Sequence, residues 1–146
     1  MRRATTVLVV EDDPAIRTLI LETLTVDGYN ATGVGDTTAA MEDVCGGRRR
    51  PDLIITDYHL PGADGLELLR LLQAEGFGDI PALVISADVR PPDWPMTSFI
   101  PKPFDLDAIL RAIRRALGKP SGEPDQRCDG RPEVGLGTGS ASRSWR

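Results

Sequence analysis

The sequence predicts an α/β fold, in which helices cover both faces of a parallel β-sheet. Short apolar runs alternate along the chain with longer segments whose apolar residues recur at helical spacing. A strand, a helix and a second strand in succession form a right-handed crossover, which makes the two strands parallel. The strongest runs are apolar throughout, as is typical of strands that are covered on both faces. These observations indicate a doubly wound sheet.

The predicted elements follow one another in a regular order. The strands are expected at 6–10, 29–34, 52–57, 80–86 and 97–100, and the helices at 14–28, 36–46, 63–76 and 105–118. The first strand, TVLVV, is continuously apolar. The first helix begins with Pro14, which suits a first helical position, follows Asp13 as its N-cap and ends at Gly28. The second strand, YNATGV, is weaker, and Asp36 opens the short helix after it.

The second half of the chain repeats this alternation. The third strand, DLIITD, is apolar and ends on an acid, and the third helix carries leucines at helical spacing. The fourth strand, IPALVIS, is apolar again, and the fifth, TSFI, is short. Asp105 caps the last helix and Gly118 ends it. The apolar face of this helix consists of Leu106, Ile109, Leu110, Ile113 and Leu117.

Composition limits the classes of function. At 146 residues, the chain is long enough for one domain with a single core. A net charge of −5 argues against a nucleic-acid surface, which requires a basic face. The apolar runs are too short for a membrane span or a signal peptide, so a cytoplasmic location without membrane contact is expected. The spacing of Cys45, Cys128 and His59 does not suit a zinc site, and a structural disulfide is not expected in a reducing compartment.

The chain divides into a folded body at 1–118 and a tail at 119–146. Twelve of the 28 tail residues are Gly, Ser or Pro, and large apolar residues are few. Such a segment cannot bury a core, so we expect it to be disordered. No helix-turn-helix or other output domain fits into it, so no DNA-binding domain is expected.

Acidic side chains stand where two predicted strands end. Glu11 and Asp12 follow the first strand directly, and Asp57 ends the third. Because ligands bind at the carboxyl ends of parallel strands, these carboxylates are expected to meet at one edge of the sheet. Oxygen ligands without His or Cys suit Mg²⁺, which usually binds phosphate oxygens as well. Asp57 beside such an ion is a candidate nucleophile for phosphoryl transfer.

Ser86 ends the fourth predicted strand, and Lys102 comes soon after the fifth, so both could reach the same edge. A hydroxyl and an ammonium group would stabilise the negative charge of a phosphoryl group. Lys102 is the one lysine among residues 1–118, which contain eleven arginines. A compact ammonium differs from a planar guanidinium as a phosphate partner, which favours a functional role for this lysine. A compositional bias of the genome would leave one lysine by chance equally well.

Several stretches together resemble the receiver domain of two-component response regulators. They are VLVVEDDPAIR, LIITDYHLPGADGLELLR, ALVISA and FIPKPFDLDAIL, and the resemblance covers residues 5–118. It implies a flavodoxin-like fold of five strands in the order 2-1-3-4-5. It also implies that the Lys102–Pro103 peptide bond is cis, whereas trans is the general default.

The resemblance implies a role for each acidic residue. Asp57 corresponds to the phosphoacceptor and Asp12 to a direct Mg²⁺ ligand. Glu11 would assist the metal largely through water, and the backbone carbonyl of His59 would complete the protein ligands. The His59 ring either lines the mouth of the site or transfers protons, and the first role is favoured.

The resemblance also implies a switch. Ser86 corresponds to the switch hydroxyl, and Lys102 to the lysine that pairs with the phosphoryl group. Phe99, three residues before Lys102, corresponds to the switch aromatic residue. Phe99 would serve equally well as a core residue, and both roles are compatible.

The segment between Ser86 and Lys102 departs from the family pattern. Only fifteen residues separate them, and the stretch ADVRPPDWPMTSFIP contains prolines that would interrupt a helix. The family has a helix here, between the fourth and fifth strands, and we expect this helix to be missing or reduced to a turn. The loop carries Trp94, which would either form a binding surface or cover the core.

The favoured function is that of a stand-alone receiver. A sensor histidine kinase or a histidine phosphotransfer protein would donate a phosphoryl group to Asp57, and contact with a downstream protein would pass the signal on. An alternative is a binding module of the same fold that works without phosphorylation. A phosphatase or phosphotransferase is disfavoured, because dehalogenase-type hydrolases have a second acid where His59 stands. The chain is expected to catalyse only its own phosphorylation and dephosphorylation.

Overall fold

The computed structural model describes residues 4–47, 50–87 and 93–117. The elements are β1 (Thr6–Val10), α1 (Pro14–Val26), β2 (Asn30–Val34), α2 (Thr37–Cys45), β3 (Leu53–Asp57), α3 (Gly65–Ala74), β4 (Ala82–Ser86), β5 (Thr97–Pro101) and α4 (Leu106–Leu117). The strands form one parallel sheet in the order β2-β1-β3-β4-β5. The predicted α/β fold, with its flavodoxin-like strand order, is confirmed.

The helices begin and end where capping groups are available. Asp13 accepts hydrogen bonds from two amides in the first turn of α1, which confirms it as the N-cap. α1 ends at Val26, two residues before the predicted end, because Asp27 is its C-cap and Gly28 has a φ of 99°. A positive φ of this kind ends a helix and favours glycine. α3 begins two residues later than predicted, because Asp64 caps it.

Alternation along the strands divides the core between the two faces of the sheet. One face, which includes Val7 and Val9 of β1, packs against α1 and α4. The other face, which includes Leu8 and Val10, packs against α2 and α3. β1, β3 and β4 are buried along their whole length. Burial of each large apolar side chain contributes about 1.5–3 kcal/mol, so these three strands form a rigid support for the groups at their ends.

Trp94 lies in the connection between β4 and β5 and covers a third apolar cluster. The buried members of this cluster come from α3 and β4, and Tyr58, Trp94 and Phe99 pack against them half-buried. The guanidinium of Arg70, on α3, lies 5.4 Å from the centroid of the Trp94 ring. A cation over an indole face is an attractive contact. Of the two roles considered for this loop, the structure supports the covering of the core.

The described part of this connection, residue 87 and residues 93–96, contains no helix. Among the described elements, β5 follows β4 directly, as expected for a chain in which the family helix is missing or shortened. Met96, just before β5, has a φ of 57°. Pro91 and Pro92, on which the prediction rested in part, lie outside the described residues.

Two further predictions concern residues that the structure does not describe. The tail at 119–146 and Cys128 both lie outside the described ranges. The exposed Cys45 is a free cysteine. None of the helices in the described ranges has the length and apolar character needed to cross a bilayer.

Candidate functional site

Carboxylates from two neighbouring strands meet at the carboxyl edge of the sheet. Glu11 and Asp12 follow β1, and Asp57 is the last residue of the adjacent β3. One oxygen from each side chain lies within 4.8 Å of the others. Glu11 and Asp57 are buried, with 2% and 6% of their surface exposed, whereas Asp12 is exposed. The structure thus brings together the three acids that the sequence singles out.

Lys102 reaches this cluster from the loop after β5. Its ammonium donates a hydrogen bond to Oδ2 of Asp57 at 2.9 Å, and its backbone N–H donates to the carbonyl of Ser86 at 2.8 Å. Burial lowers the pKa of the ammonium, but the hydrogen bond and the charge of Asp57 outweigh burial and raise the pKa overall. Lys102 is therefore charged at neutral pH. The Lys102–Pro103 peptide bond is cis, as the resemblance implies.

Ionisation of the Glu11 carboxyl is unfavourable in this environment. Its pKa is raised from 4.5 to about 7, chiefly by burial and to a smaller extent by the charge of Asp57 and a hydrogen bond with Asp12. The amide of Asp13, which donates to Oε2 of Glu11 at 3.2 Å, and the charge of Lys102 act in the opposite direction. A cation bound to the cluster would favour the ionised carboxylate, because opposite charge lowers the pKa of an acid.

The donor atoms of the cluster fit a divalent ion of the Mg²⁺ type. All three side chains offer carboxylate oxygens, and within the described residues no histidine or cysteine joins them. Mg²⁺ prefers such hard ligands and is usually bound through one or two carboxylates, with water in the remaining positions. The mixture of one exposed and two buried acids therefore suits a partly hydrated ion.

His59, whose backbone carbonyl is the fourth predicted ligand, follows Asp57 by two residues. The amide of His59 donates to Oδ1 of Asp57 at 3.3 Å, which fixes the loop relative to the acid cluster. The exposed imidazole ring lies edge-on to Tyr58, with 5.0 Å between the ring centroids. The ring is therefore at the surface beside the site, and the assignment of the carbonyl to a metal remains a prediction.

Ser86 and Phe99, the predicted switch residues, lie on adjacent strands. Ser86 ends β4, is 6% exposed and pairs with Pro101 in the sheet. Phe99 lies in β5 and packs half-buried against the same apolar cluster as Tyr58 and Trp94. Tyr58 directly follows Asp57, the candidate nucleophile. The apolar cluster therefore connects the end of β3 to Trp94 and Phe99.

Gly65 and Arg17 support the site from outside the acid cluster. A Cβ on Gly65 would lie 2.6 Å from the carbonyl oxygen of Asp57, so only glycine allows α3 to begin this close to β3. Arg17 donates from Nη1 to the carbonyl of Glu11 at 2.8 Å. Sequence reasoning missed both contacts. Neither has a local signal, because each depends on how a helix packs against the end of a strand.

Known proteins share this sequence pattern. A family model described as the response regulator receiver domain matches residues 7–114. Response regulator MprA of Mycobacterium leprae is 36% identical over 117 residues, which are 76% of this chain and 50% of that protein. The DNA-binding transcriptional regulator NtrC of Rhizobium meliloti is 33% identical over 141 residues, which are 89% of this chain and 28% of that protein. The chain spans half or less of the length of these relatives.

A solved structure shows the same architecture. The chemotaxis response regulator CheY4 of Vibrio cholerae superposes on this chain with a TM-score of 0.71 and 24% sequence identity. The match covers 79% of this chain and 100% of that one. This likeness concerns the fold, and it agrees with the strand order described above.

Proposed function

The chain belongs to the family of response regulator receiver domains, and from this membership we propose that it accepts a phosphoryl group on Asp57 in a phosphorelay. The donor is a phosphohistidine of a sensor histidine kinase or of a histidine phosphotransfer protein. The cofactor is Mg²⁺. The modified chain passes the signal on through contact with a downstream protein.

The environment of Asp57 carries the proposal. Its carboxylate lies within 4.8 Å of oxygens from Glu11 and Asp12, and it accepts a hydrogen bond from Lys102 at 2.9 Å. A carboxylate nucleophile in phosphoryl transfer needs acids that can hold a divalent ion and a cation that meets the incoming charge. An aspartate that only shapes a turn needs neither.

The transfer is a single displacement. An oxygen of Asp57 attacks phosphorus, an O–P bond forms, the P–N bond to the donor histidine breaks, and its electron pair leaves with the imidazole nitrogen. Lys102, whose pKa is raised by Asp57, keeps its proton and pairs with the phosphoryl oxygens. The cofactor would be held by Asp12, Asp57 and the backbone carbonyl of His59, with Glu11 assisting largely through water. When bound, Mg²⁺ supplies positive charge that stabilises the transferred group.

Ser86 and Phe99 convert this local change into a change of surface. The phosphoryl group brings new negative charge and new acceptor oxygens to Asp57, and the Ser86 hydroxyl at the end of the adjacent strand donates to one of them. Phe99, in the next strand, then packs inward. Trp94 packs against the same apolar cluster as Phe99, so the movement of Phe99 also changes the position of Trp94 between β4 and β5. Such a device shifts the balance between two conformations.

Acetyl phosphate with Mg²⁺ tests the phosphoacceptor by intact-protein mass spectrometry. The wild type is expected to gain the mass of one phosphoryl group, and Asp57→Asn is expected to gain none. Asp105→Asn is the matched control, because Asp105 is an exposed carboxylate that accepts a hydrogen bond from the amide of Ala108 in α4. A phosphoryl mass gain on Asp57→Asn would show that the proposal is wrong. The absence of a mass gain on both the wild type and Asp105→Asn would show the same.

A phosphorylated histidine phosphotransfer protein tests the class of donor. Its label is expected to move to the wild type, to stay on the donor when Asp57→Asn is supplied, and to stay there when EDTA removes Mg²⁺. Retention of the label with the wild type, under conditions where acetyl phosphate modifies Asp57, would exclude this donor while leaving the phosphoacceptor assignment intact.

A further inference from the structure

We propose that Arg17 is a positioning residue, which holds the peptide between Glu11 and Asp12 in the orientation that Mg²⁺ binding requires. This inference rests on the proposed function and adds a residue that is not itself a metal ligand. Arg17 lies near the start of α1, directly after the acidic loop. Its Nη1 donates to the carbonyl of Glu11 at 2.8 Å.

Hydrogen bonds hold Glu11 on every side. Its backbone N–H donates to the carbonyl of Val34 at 3.0 Å, and its carboxylate accepts from the amide of Asp13 at 3.2 Å. The Arg17 contact holds the remaining polar group, the backbone carbonyl. Rotation of the peptide plane between Glu11 and Asp12 would break this contact. The orientation of this peptide, from which the Asp12 residue continues, is therefore held before any ion binds.

Two glycines at the end of β2 make room for the arginine side chain. A Cβ on Gly33 would lie 3.0 Å from Cγ of Arg17, and a Cβ on Gly35 would lie 3.1 Å from Nη1. Neither glycine has a positive φ, so the backbone conformation does not require glycine at these positions. At Gly33, Arg17 shares the space of the missing Cβ with Leu21, whose Cδ1 would lie 2.7 Å away, and at Gly35 the neighbouring atom is Nη1 of Arg17.

The charge of Arg17 and its positioning effect act on Mg²⁺ in opposite directions. A guanidinium near the cluster repels a divalent cation, so its removal would tighten Mg²⁺ binding if charge were its only contribution. Loss of a contact that orders the loop weakens binding, because the ion must then order the loop itself. The sign of the change in affinity distinguishes the two effects.

Isothermal titration of the full chain with Mg²⁺ measures this sign. Arg17→Ala is expected to weaken binding roughly 5-fold or more, the order expected when a backbone residue is ordered on binding. Gly35→Ala leaves every charge in place but adds a Cβ 3.1 Å from Nη1, so the guanidinium must shift by a few tenths of an ångström. Gly35→Ala is expected to weaken Mg²⁺ binding in the same direction, by less than Arg17→Ala does. In the Arg17→Ala background, Gly35→Ala is expected to have no further effect. This non-additivity is the signature of action through the arginine.

Arg114→Ala is the matched control. Arg114 also binds through its guanidinium, but its partner is the Asp27 carboxylate at the opposite end of α1. The control removes the same charge and is expected to leave Mg²⁺ affinity unchanged. Unchanged or tighter binding by Arg17→Ala would overturn the inference.

A measurement without metal separates this inference from the proposed function. In EDTA, amide hydrogen exchange at Glu11 and Asp13 is expected to accelerate in Arg17→Ala and to stay unchanged in Arg114→Ala. If the wild type binds no Mg²⁺, the proposed function fails, and the exchange rates alone decide on Arg17. Exchange rates equal to those of the wild type would then overturn the role of Arg17.

Discussion

Glu11 makes the stability of the metal-free protein depend on pH. Burial, followed by the charge of Asp57, raises the pKa of its carboxyl from 4.5 to about 7. Between these values the folded state binds a proton that the unfolded chain releases, so stability falls as the pH rises through this window. Above it, the ionised carboxylate costs about 1–3 kcal/mol of folding free energy after allowance for solvent screening.

Glu11→Gln is therefore expected to stabilise the metal-free protein at pH 8 by about 1–3 kcal/mol. Near pH 4 it is expected to change little, because the wild-type carboxyl is neutral there. Urea unfolding in EDTA at both pH values measures the difference. Glu22→Gln, an exposed acid on α1, is the control and should show no pH-dependent gain. Equal gains from Glu11→Gln at both pH values would contradict the prediction.

Lys102 has the complementary role, because it neutralises part of the acid cluster. Its side chain is 22% exposed and that of Asp57 is 7% exposed, so the ion pair is largely shielded from water. Lys102→Met is expected to destabilise the metal-free protein by about 1–3 kcal/mol, because it leaves a buried carboxylate without its partner. Mg²⁺ is expected to reduce this loss, because it brings positive charge to the same carboxylates.

Chemical unfolding of Lys102→Met with EDTA and with saturating Mg²⁺ measures the two losses. Arg114→Met is the control for a removed cation, because its pair with Asp27 is more exposed, at 43% and 21%. Arg114→Met is expected to lower the free energy of unfolding by about 1 kcal/mol or less, and this decrease is expected to be independent of Mg²⁺. A loss for Lys102→Met that is the same in both conditions would contradict the prediction.

At the scale of elements, the described part of the connection between β4 and β5 stabilises the domain through the side chain of Trp94. Trp94 packs against apolar residues of α3 and β4 and accepts the Arg70 guanidinium over its ring. Trp94→Ala is expected to lower the free energy of unfolding by about 1–3 kcal/mol, less than a fully buried tryptophan would cost. The denaturant midpoint, at unchanged m-value, measures this loss.

Val26→Ala is the control for removal of an apolar side chain, because Val26 is 89% exposed at the end of α1. Its cost is expected to be within about 0.5 kcal/mol. If Trp94→Ala costs no more than Val26→Ala, packing of the indole does not stabilise the domain.

The individual elements could be predicted from the sequence because their signals are local. The apolar runs gave β1, β3 and β4, and Asp13 and Asp36 marked the starts of α1 and α2. The end of α1 was predicted too late, because Gly28 stops the helix from the position after the C-cap. The covering role of Trp94 could not be decided from the sequence. It depends on the path of an irregular loop relative to α3, for which local pattern gives no information.

At the scale of the whole molecule, every residue of the described core lies between Val7 and Leu117. Removal of residues 119–146 is therefore expected to change the free energy of unfolding by no more than about 0.5 kcal/mol and to leave Mg²⁺ affinity unchanged. Urea unfolding and calorimetric titration of the truncated and full chains provide the comparison. A loss above about 1 kcal/mol would mean that the removed segment stabilises the body, contrary to the domain prediction.

The meeting of the three acidic side chains at one site also depends on the whole fold. Glu11, Asp12 and Asp57 could be predicted to meet, because parallel strands bring their carboxyl ends to one edge. The order of the strands came from the resemblance, and the sheet confirms it. The contact of Arg17 with Glu11 was beyond prediction, because it requires the packing of α1 against the end of β2 at the level of single atoms.

The location of Trp94 gives the protein an intrinsic optical reporter. The chain contains two tryptophans, so Trp145→Phe leaves Trp94 as the sole source of indole fluorescence. This indole lies between a guanidinium and the apolar cluster that Phe99 also contacts. Rearrangement of Phe99 would alter the polarity and quenching around the emitter. The intensity and wavelength of its emission would then follow activation in real time, without a dye or a label.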